Sequence, residues 1–252
     1  MCGIVGYIGD QQAAPILLDG LEKLEYRGYD SAGIAVYDGE EIHVMKAQGR
    51  LKVLNELSHG GEMLPGTLGI GHTRWATHGA PSDTNAHPHF NQDRTIAVVH
   101  NGIIENYLKL KKKLEKKDYT FVSETDTEII AQLLDYYYDG NPLRAITKVM
   151  HRMEGSYALG IIFSDHPDEL YAVRKDSPLI VGHTKGGSII ASDVPAVLQH
   201  FVAGRYLSAQ IRKIERVHPD VVPGFIRLGP QGMDSRSLGL IQHLGLDKGF
   251  VN

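Results

Sequence analysis

The sequence has one cysteine, Cys2, and one tryptophan, Trp75, in 252 residues. A lone cysteine excludes an intrachain disulfide framework and any multi-cysteine zinc or iron–sulfur site, and it fits a reducing, cytoplasmic setting. No apolar run approaches the length that spans a bilayer, so no membrane partner is expected. The start lacks a basic stretch followed by an apolar one, so no export signal is expected. N-myristoylation needs glycine where this chain has Cys2. Walker-type and dinucleotide-binding glycine loops are missing, and no cofactor is expected. A large excess of one charge is missing too. The 26 Lys and Arg stand against 30 Asp and Glu, a formal net charge of -4, which gives no electrostatic case for nucleic acid. What remains is 42% hydrophobic and 22% charged residues, the balance of a globule with a buried core, in one sizeable domain or two small ones.

Gly3 to Ile8 is an apolar run bounded by glycines and reads as a buried strand. Leu17, Leu21 and Leu24 fall at helical spacing, with Asp10 as the expected cap and Pro15 tolerated in the first turn. Ala32–Tyr37 and Ile42–Ala47 read as strands around the turn Asp38-Gly39. Leu68–Thr73 and Thr95–Val99 are two further strands. Tyr107, Leu110 and Leu114 share a helical face whose wet side carries the lysines between them. Thr125 and Glu128 have capping-box spacing ahead of a helix through Ile129, Leu133 and Tyr137. A shorter helix follows Pro142. Strands then fit Tyr157–Phe163, Leu170–Val173, Leu179–Val181 and Ser188–Ala191. Two groups of strands with helices between and beside them favour two stacked, largely antiparallel sheets over a doubly wound parallel sheet, an α+β class.

Cys2 stands directly ahead of the first strand. With the initiator methionine removed, its thiol and a free α-amine share one carbon skeleton. Such an amine titrates near ~8 and can take up a proton. That is an activated nucleophile in its N-terminal form. A cysteine elsewhere in a chain is usually an inert small hydrophobe. Attack on a carboxamide makes an oxyanion that needs preset donors. Asn101-Gly102 offers a side-chain amide and a backbone N–H, although Asn-Gly is equally a tight turn. Arg74 offers a planar fork for a carboxylate, or a structural ion pair. Asp126 offers an anion for an ammonium group, or a helix cap. Trp75 lies between Arg74 and Thr77, as in a loop closing over a ligand, or else as core. Histidines crowd the same segments: His72, His78, His87, His89 and His100. His87-Pro88-His89 is a poor chelate and no acidic third ligand is evident, so no metal is expected.

Five segments in order carry a resemblance: Cys2-Gly3-Ile4, Tyr26-Arg27-Gly28-Tyr29-Asp30-Ser31, Arg74-Trp75-Ala76-Thr77-His78-Gly79, His100-Asn101-Gly102 and Ser123-Glu124-Thr125-Asp126. The chain resembles the glutaminase domains of glutamine–fructose-6-phosphate aminotransferases, which are class II glutamine amidotransferases of the N-terminal-nucleophile (Ntn) hydrolase type. The resemblance implies a four-layer αββα sandwich. It implies that Cys2 attacks the side-chain amide of glutamine, that its α-amine relays the proton, and that Asn101 and the Gly102 N–H hold the oxyanion. Arg74 and Thr77 would bind the substrate carboxylate and Asp126 its ammonium. Trp75 and His78 would belong to the closing loop, and Arg27 would support Cys2. His87 and His100 match positions near the site without an assigned role.

The resemblance runs through Leu198, which sets a domain at residues 1–199 and a tail at 200–252. The tail has scattered glycines and little periodicity. It is expected to be disordered, as a shifted frame or foreign segment would be. The family's sugar-isomerase domain is absent from the sequence, so fructose 6-phosphate would be reached only through such a domain, and a homodimer would belong to the full-length enzyme. Three other readings remain at this point: a catalytically impaired glutamine-binding fragment, the glutaminase half of another class II amidotransferase, and a zinc hydrolase built on the histidines.

Overall fold

A computed structural model describes residues 2–184, 186–198 and 224–229, with the backbone alone at 184 and 224–226. Eleven strands and five α-helices are described. Strands β1 (Gly3–Gly9), β2 (Ser31–Tyr37), β3 (Ile42–Gln48), β4 (Leu68–Arg74), β9 (Ile180–Thr184) and β10 (Gly187–Ala191) form a six-stranded sheet in the order β3-β2-β4-β1-β10-β9. Strands β5 (His89–Phe90), β6 (Ile96–Ile104), β7 (Gly155–Phe163), β8 (Leu170–Lys175) and β11 (Gly224–Leu228) form a second sheet in the order β11-β8-β7-β6-β5. Neighbours in both sheets pair antiparallel.

Alternation along each strand builds the layers. In β1, Val5 and Tyr7 pack with α1 (Ala13–Glu22), while Ile4 and Ile8 point the other way. In β6, Ala97 and Val99 meet Ile4 and Ile70 between the sheets, and Ile96 and Val98 face α3 (Tyr107–Glu115), α4 (Glu128–Tyr137) and α5 (Pro142–Met150). Each sheet is therefore buried on both faces, which is why its strands read as continuous apolar runs. The result is helix, sheet, sheet, helix: the α+β sandwich implied by the resemblance.

Several local expectations change. The helix cap is Gln12, not Asp10, and it makes no side-chain cap bond. Asp10 instead donates its N–H to Gly186 O at 2.8 Å. Leu24 lies past the end of α1 yet stays fully buried. Asn101-Gly102 is not a turn: β6 runs through it to Ile104, with Asn101 opposite Ala158 and Gly102 opposite Tyr157. A helix α2 (Leu51–Leu57) and the two-residue β5 lie where the sequence suggested nothing. At α4, Thr125 Oγ1 accepts the Glu128 N–H at 3.4 Å, the first half of the expected capping box. The second half reaches further back, as the Glu128 carboxylate accepts N–H groups of Val122 (2.9 Å) and Ser123 (2.7 Å).

The tail expectation is corrected at one point. Gly224–Leu228 adds to the edge of β8, Leu228 is buried between the sheets, and Arg227 pairs with Glu169 at 2.9 Å. The β-prone apolar residues Phe225 and Ile226 ahead of Leu228 give this short piece strand character. The rest of residues 200–252 lies outside the described residues.

Candidate active site

Cys2 stands at the head of β1, where the ends of β1 and β4 meet the C-terminal half of β6 from the opposite sheet. Three segments hold it. The N–H of Trp75, the first residue after β4, donates to Cys2 Sγ at 3.2 Å, and the thiol faces the Trp75 carbonyl at 3.6 Å. The Cys2 carbonyl oxygen accepts from Arg27 Nε at 3.1 Å and from Asn101 Nδ2 at 3.0 Å. Arg27 is itself fixed by Asp193, at 2.8 Å from Nη1. Asp193 also accepts the Tyr26 hydroxyl at 2.7 Å. That hydroxyl, the Val194 N–H and the Arg27 charge hold the Asp193 carboxyl below its ordinary range. Burial pushes the Cys2 thiol up, and the Trp75 N–H with the Arg74 and Arg27 charges only partly offsets it. A thiol so placed needs a base to become a nucleophile.

The segment Arg27-Gly28-Tyr29-Asp30 runs along Cys2 and the residues at the end of β4, each residue making a contact. A Cβ on Gly28 would lie 2.6 Å from the Arg74 carbonyl carbon and 2.8 Å from Trp75 N, so only glycine fits there. Tyr29 meets the Trp75 ring edge to face at 5.3 Å. Asp30 accepts the Ala76 N–H at 2.8 Å, and its own N–H reaches Arg74 O at 3.0 Å.

Arg74 is buried and turns its guanidinium onto the loop that follows it. It donates to the carbonyls of His78, of Gly79 at 3.0 Å and of Ala80 at 3.5 Å. This fastens the loop carrying Thr77 and His78 to the end of β4. Thr77 is exposed, and His78 packs edge to face on Tyr107. Trp75 is 45% exposed, so it is not core. The loop is tied onward to the segment before α4. Asn85 donates to Ala80 O at 2.9 Å and Glu124 Oε2 at 3.1 Å, and accepts the Glu124 N–H at 3.0 Å. Asp126 is buried, and its Oδ2 accepts the Ile104 N–H at 2.9 Å. It is not the cap of α4, a position held by Thr127. Burial lowers the basicity of Arg74, and the neighbouring Cys2, Asp30, Asp126 and Glu124 only partly offset it.

Gly102 takes φ +135, and a Cβ there would lie 2.0 Å from Ser156 O. The bend in β6 thus requires glycine beside Asn101.

Beneath these groups lie four buried histidines. His72 Nε2 is 3.0 Å from both His100 O and Asn101 Oδ1. His87 Nδ1 is 3.2 Å from His72 Nδ1 and 3.1 Å from its Nε2. His87 also meets His89 edge to face. His89 Nε2 lies 3.0 Å from Thr125 Oγ1, and His100 Nδ1 lies 2.9 Å from Thr127 Oγ1. Burial lowers the basicity of all four, His72 to about 3. Among the described residues no group of three or more His, Cys, Asp or Glu is arranged to hold a metal ion. No described helix is long and apolar enough to cross a membrane.

The structure therefore brings Cys2, Arg27, Arg74, Trp75, Asn101 and Asp126 around one sheet end, with Thr77 and His78 on the adjoining loop and His87 and His100 below. Sequence reasoning missed Gly28, Asp30 and Asp193 as supports, and gave His72 no role. Only the density of polar residues around Arg27 hinted at the first two.

Residues 72–199 match the glutamine amidotransferase domain family. The chain belongs to that family. Its amidotransferase relatives include the glutamine–fructose-6-phosphate aminotransferase (isomerizing) of Caldanaerobacter subterraneus subsp. tengcongensis, 62% identical over 200 residues, covering 79% of this chain and 33% of the relative. The enzyme of the same name from Clostridium acetobutylicum is 60% identical over 201 residues, with the same coverage. The chain thus spans about a third of the length of these curated relatives. Among solved structures, the glutamine phosphoribosylpyrophosphate amidotransferase of B. subtilis, complexed with ADP and GMP, superposes with a TM-score of 0.73 at 26% identity. That match covers 92% of this chain and 48% of that one.

Proposed function

We propose that residues 1–199 form a glutaminase unit that cleaves glutamine to glutamate and ammonia through Cys2. The observation that carries this reading is the junction at Cys2, where Trp75 engages the sulfur while Arg27 and Asn101 fix the adjacent carbonyl. In the processed chain, the α-amine of Cys2 accepts the thiol proton as Sγ bonds to the amide carbon. The carbonyl electrons move onto oxygen, and the second N–H of Asn101 Nδ2 with the Gly102 N–H receives that oxyanion. Collapse breaks the C–N bond, the α-ammonium returns its proton to nitrogen, and ammonia leaves. Water then attacks the γ-glutamyl thioester, giving its proton to the amine. Loss of the thiolate forms glutamate, and the thiol is restored.

Substrate recognition falls to the loop after β4. The Arg74 charge and the Thr77 hydroxyl suit the α-carboxylate, and the remaining oxygen of Asp126 suits the α-ammonium. Trp75 and His78 cover the bound amino acid. A reducing, cytoplasmic setting suits a free thiol of this kind. The curated relatives are named for transfer to fructose 6-phosphate. We extend that acceptor, and a homodimeric assembly, only to a longer polypeptide or partner that supplies a sugar-phosphate site. Neither nucleic acid nor a membrane has a part in the chemistry.

A diazoketone analogue of glutamine tests the reading. The chain should gain the mass of the analogue less N2, located on Cys2, and excess glutamine should protect. A folded chain starting at Cys2 that binds glutamine but is never alkylated would be a binding module instead.

A further inference from the structure

His72 was given no part in the mechanism, yet it is the side chain in contact with Asn101 Oδ1. We propose that His72 is a positioning residue for the oxyanion donor: its Nε2–H grips Asn101 Oδ1 and so aims the Asn101 NH2 at Cys2. The inference rests on the glutaminase reading above.

The argument is one of donors and acceptors. His72 Nε2 lies 3.0 Å from two oxygens, His100 O and Asn101 Oδ1, and neither of these can donate. Nε2 must therefore carry the hydrogen. Burial keeps the ring neutral, so Nδ1 is bare and accepts. His87 Nδ1 stands beside the same ring, 3.2 Å from His72 Nδ1 and 3.1 Å from its Nε2. The two acceptor oxygens thus set the tautomer, with His72 Nε2–H donating to Asn101 Oδ1.

An asparagine amide has two nearly isosteric ends, and its orientation is decided by what surrounds it. Here one end meets a fixed donor at His72 and the other meets a fixed acceptor, Cys2 O, at 3.0 Å. Turned over, Asn101 would press NH2 against N–H and oxygen against oxygen, leaving buried groups unpaired. His72 sits on β4 in the six-stranded sheet and Asn101 on β6 in the five-stranded sheet, so this contact also registers the two halves of the site. His72 does not touch the sulfur. Its loss should therefore spare the thiol and harm only steps that form an oxyanion.

The experiment uses the full chain with Cys2 as its N-terminal residue. We compare wild type, His72→Phe, His72→Gln and Asn101→Ala, and combine Asn101→Ala with each His72 variant. Glutamine hydrolysis and the alkylation of Cys2 by iodoacetamide, which forms no oxyanion, are both measured. His72→Phe should lower kcat about 10- to 100-fold, short of losing the donor outright. KM and the alkylation rate should stay within about threefold, well below that change in kcat. His72→Gln, whose amide can donate to Asn101, should recover most of the loss. In the Asn101→Ala background the His72 substitutions should cost nothing further.

Wild-type kcat in His72→Phe, a parallel fall in alkylation, a failure of Gln to rescue, or full additivity with Asn101→Ala would each overturn the proposal. Should His72→Phe fail to fold, the Gln variant and the 15N spectrum of wild-type histidines decide. His72 must appear as the Nε2–H tautomer, and an Nδ1–H tautomer contradicts it. A wild-type chain that starts at Cys2 and releases no ammonia refutes the glutaminase reading, while the tautomer still judges the Asn101 contact separately.

Discussion

Asn101 Nδ2 donates to Cys2 O at 3.0 Å, a bond between the two sheets that joins the proposed oxyanion donor to the nucleophile's own peptide. Donor and sulfur are therefore fixed in one frame before any substrate arrives. Removing the amide should act on the reaction more than on binding. Asn101→Ala is expected to lower kcat for glutamine hydrolysis by about 10²- to 10³-fold with little change in KM. Steady-state kinetics on the processed chain measures both.

Arg27 joins Cys2 O to Asp193, and its planar fork does what a lysine cannot. Arg27→Lys should destabilise the chain by about 1.5 kcal/mol, the lower end for a charged hydrogen bond, because the Asp193 side chain is 35% exposed. Urea unfolding with an unchanged slope checks this. The substitution should also slow hydrolysis, since the Cys2 peptide loses one of its two donors.

Gly28 lies against the Arg74–Trp75 peptide, in extended backbone that any residue could adopt. The constraint is space alone. Gly28→Ala must push that peptide aside, with a Cβ 2.6 Å from the Arg74 carbonyl carbon. A cost of about 1–3 kcal/mol is expected, together with loss of the hydrogen bond from the Trp75 N–H to Cys2 Sγ. Faster alkylation of Cys2 with slower glutamine turnover is the expected pair of readouts.

The buried histidines make stability fall with acid. At pH 8 the His72 ring is neutral in folded and unfolded chains, and contributes no pH dependence. Below about 6.5 the unfolded chain binds a proton that the folded ring refuses, so stability declines until about pH 3, where the folded ring also protonates. For His72 alone the loss reaches about 2 kcal/mol at pH 5. His87, His89 and His100 act in the same direction for the same reason. Denaturant midpoints from pH 8 to pH 5 should drop steadily, and a flat profile would mean that these rings are not buried neutral.

The sheets were legible because strands buried on both faces must be apolar throughout, as Gly3–Ile8 and Tyr157–Phe163 are. Cys2, Asn101 and Arg74 stood out as chemistry because each directly precedes or follows such a run. Asn101-Gly102 stayed open between a turn and a donor pair because positive-φ glycine serves turns and strand bends alike. Gly28 was silent: its role is to leave room for a peptide 46 residues away in sequence (Gly28 to Arg74), which no local pattern encodes. His72 was hidden in another way. A histidine in a strand looks like any satisfied core histidine until the oxygen it faces is known to belong to Asn101. Asp10 failed as a cap because α1 begins only at Ala13, while Asp10 is still tied by its N–H to Gly186 in the β9–β10 turn.

The account stands on the thiol of Cys2 working with its own α-amine. The most direct measurement is glutamine hydrolysis by two forms of the purified chain, separated and identified by intact mass, one beginning at Cys2 and one retaining Met1. The form beginning at Cys2 should release glutamate and ammonia in equal amounts, and the form retaining Met1 should release neither. Equal turnover by both forms, or none by a folded chain that starts at Cys2, would contradict it.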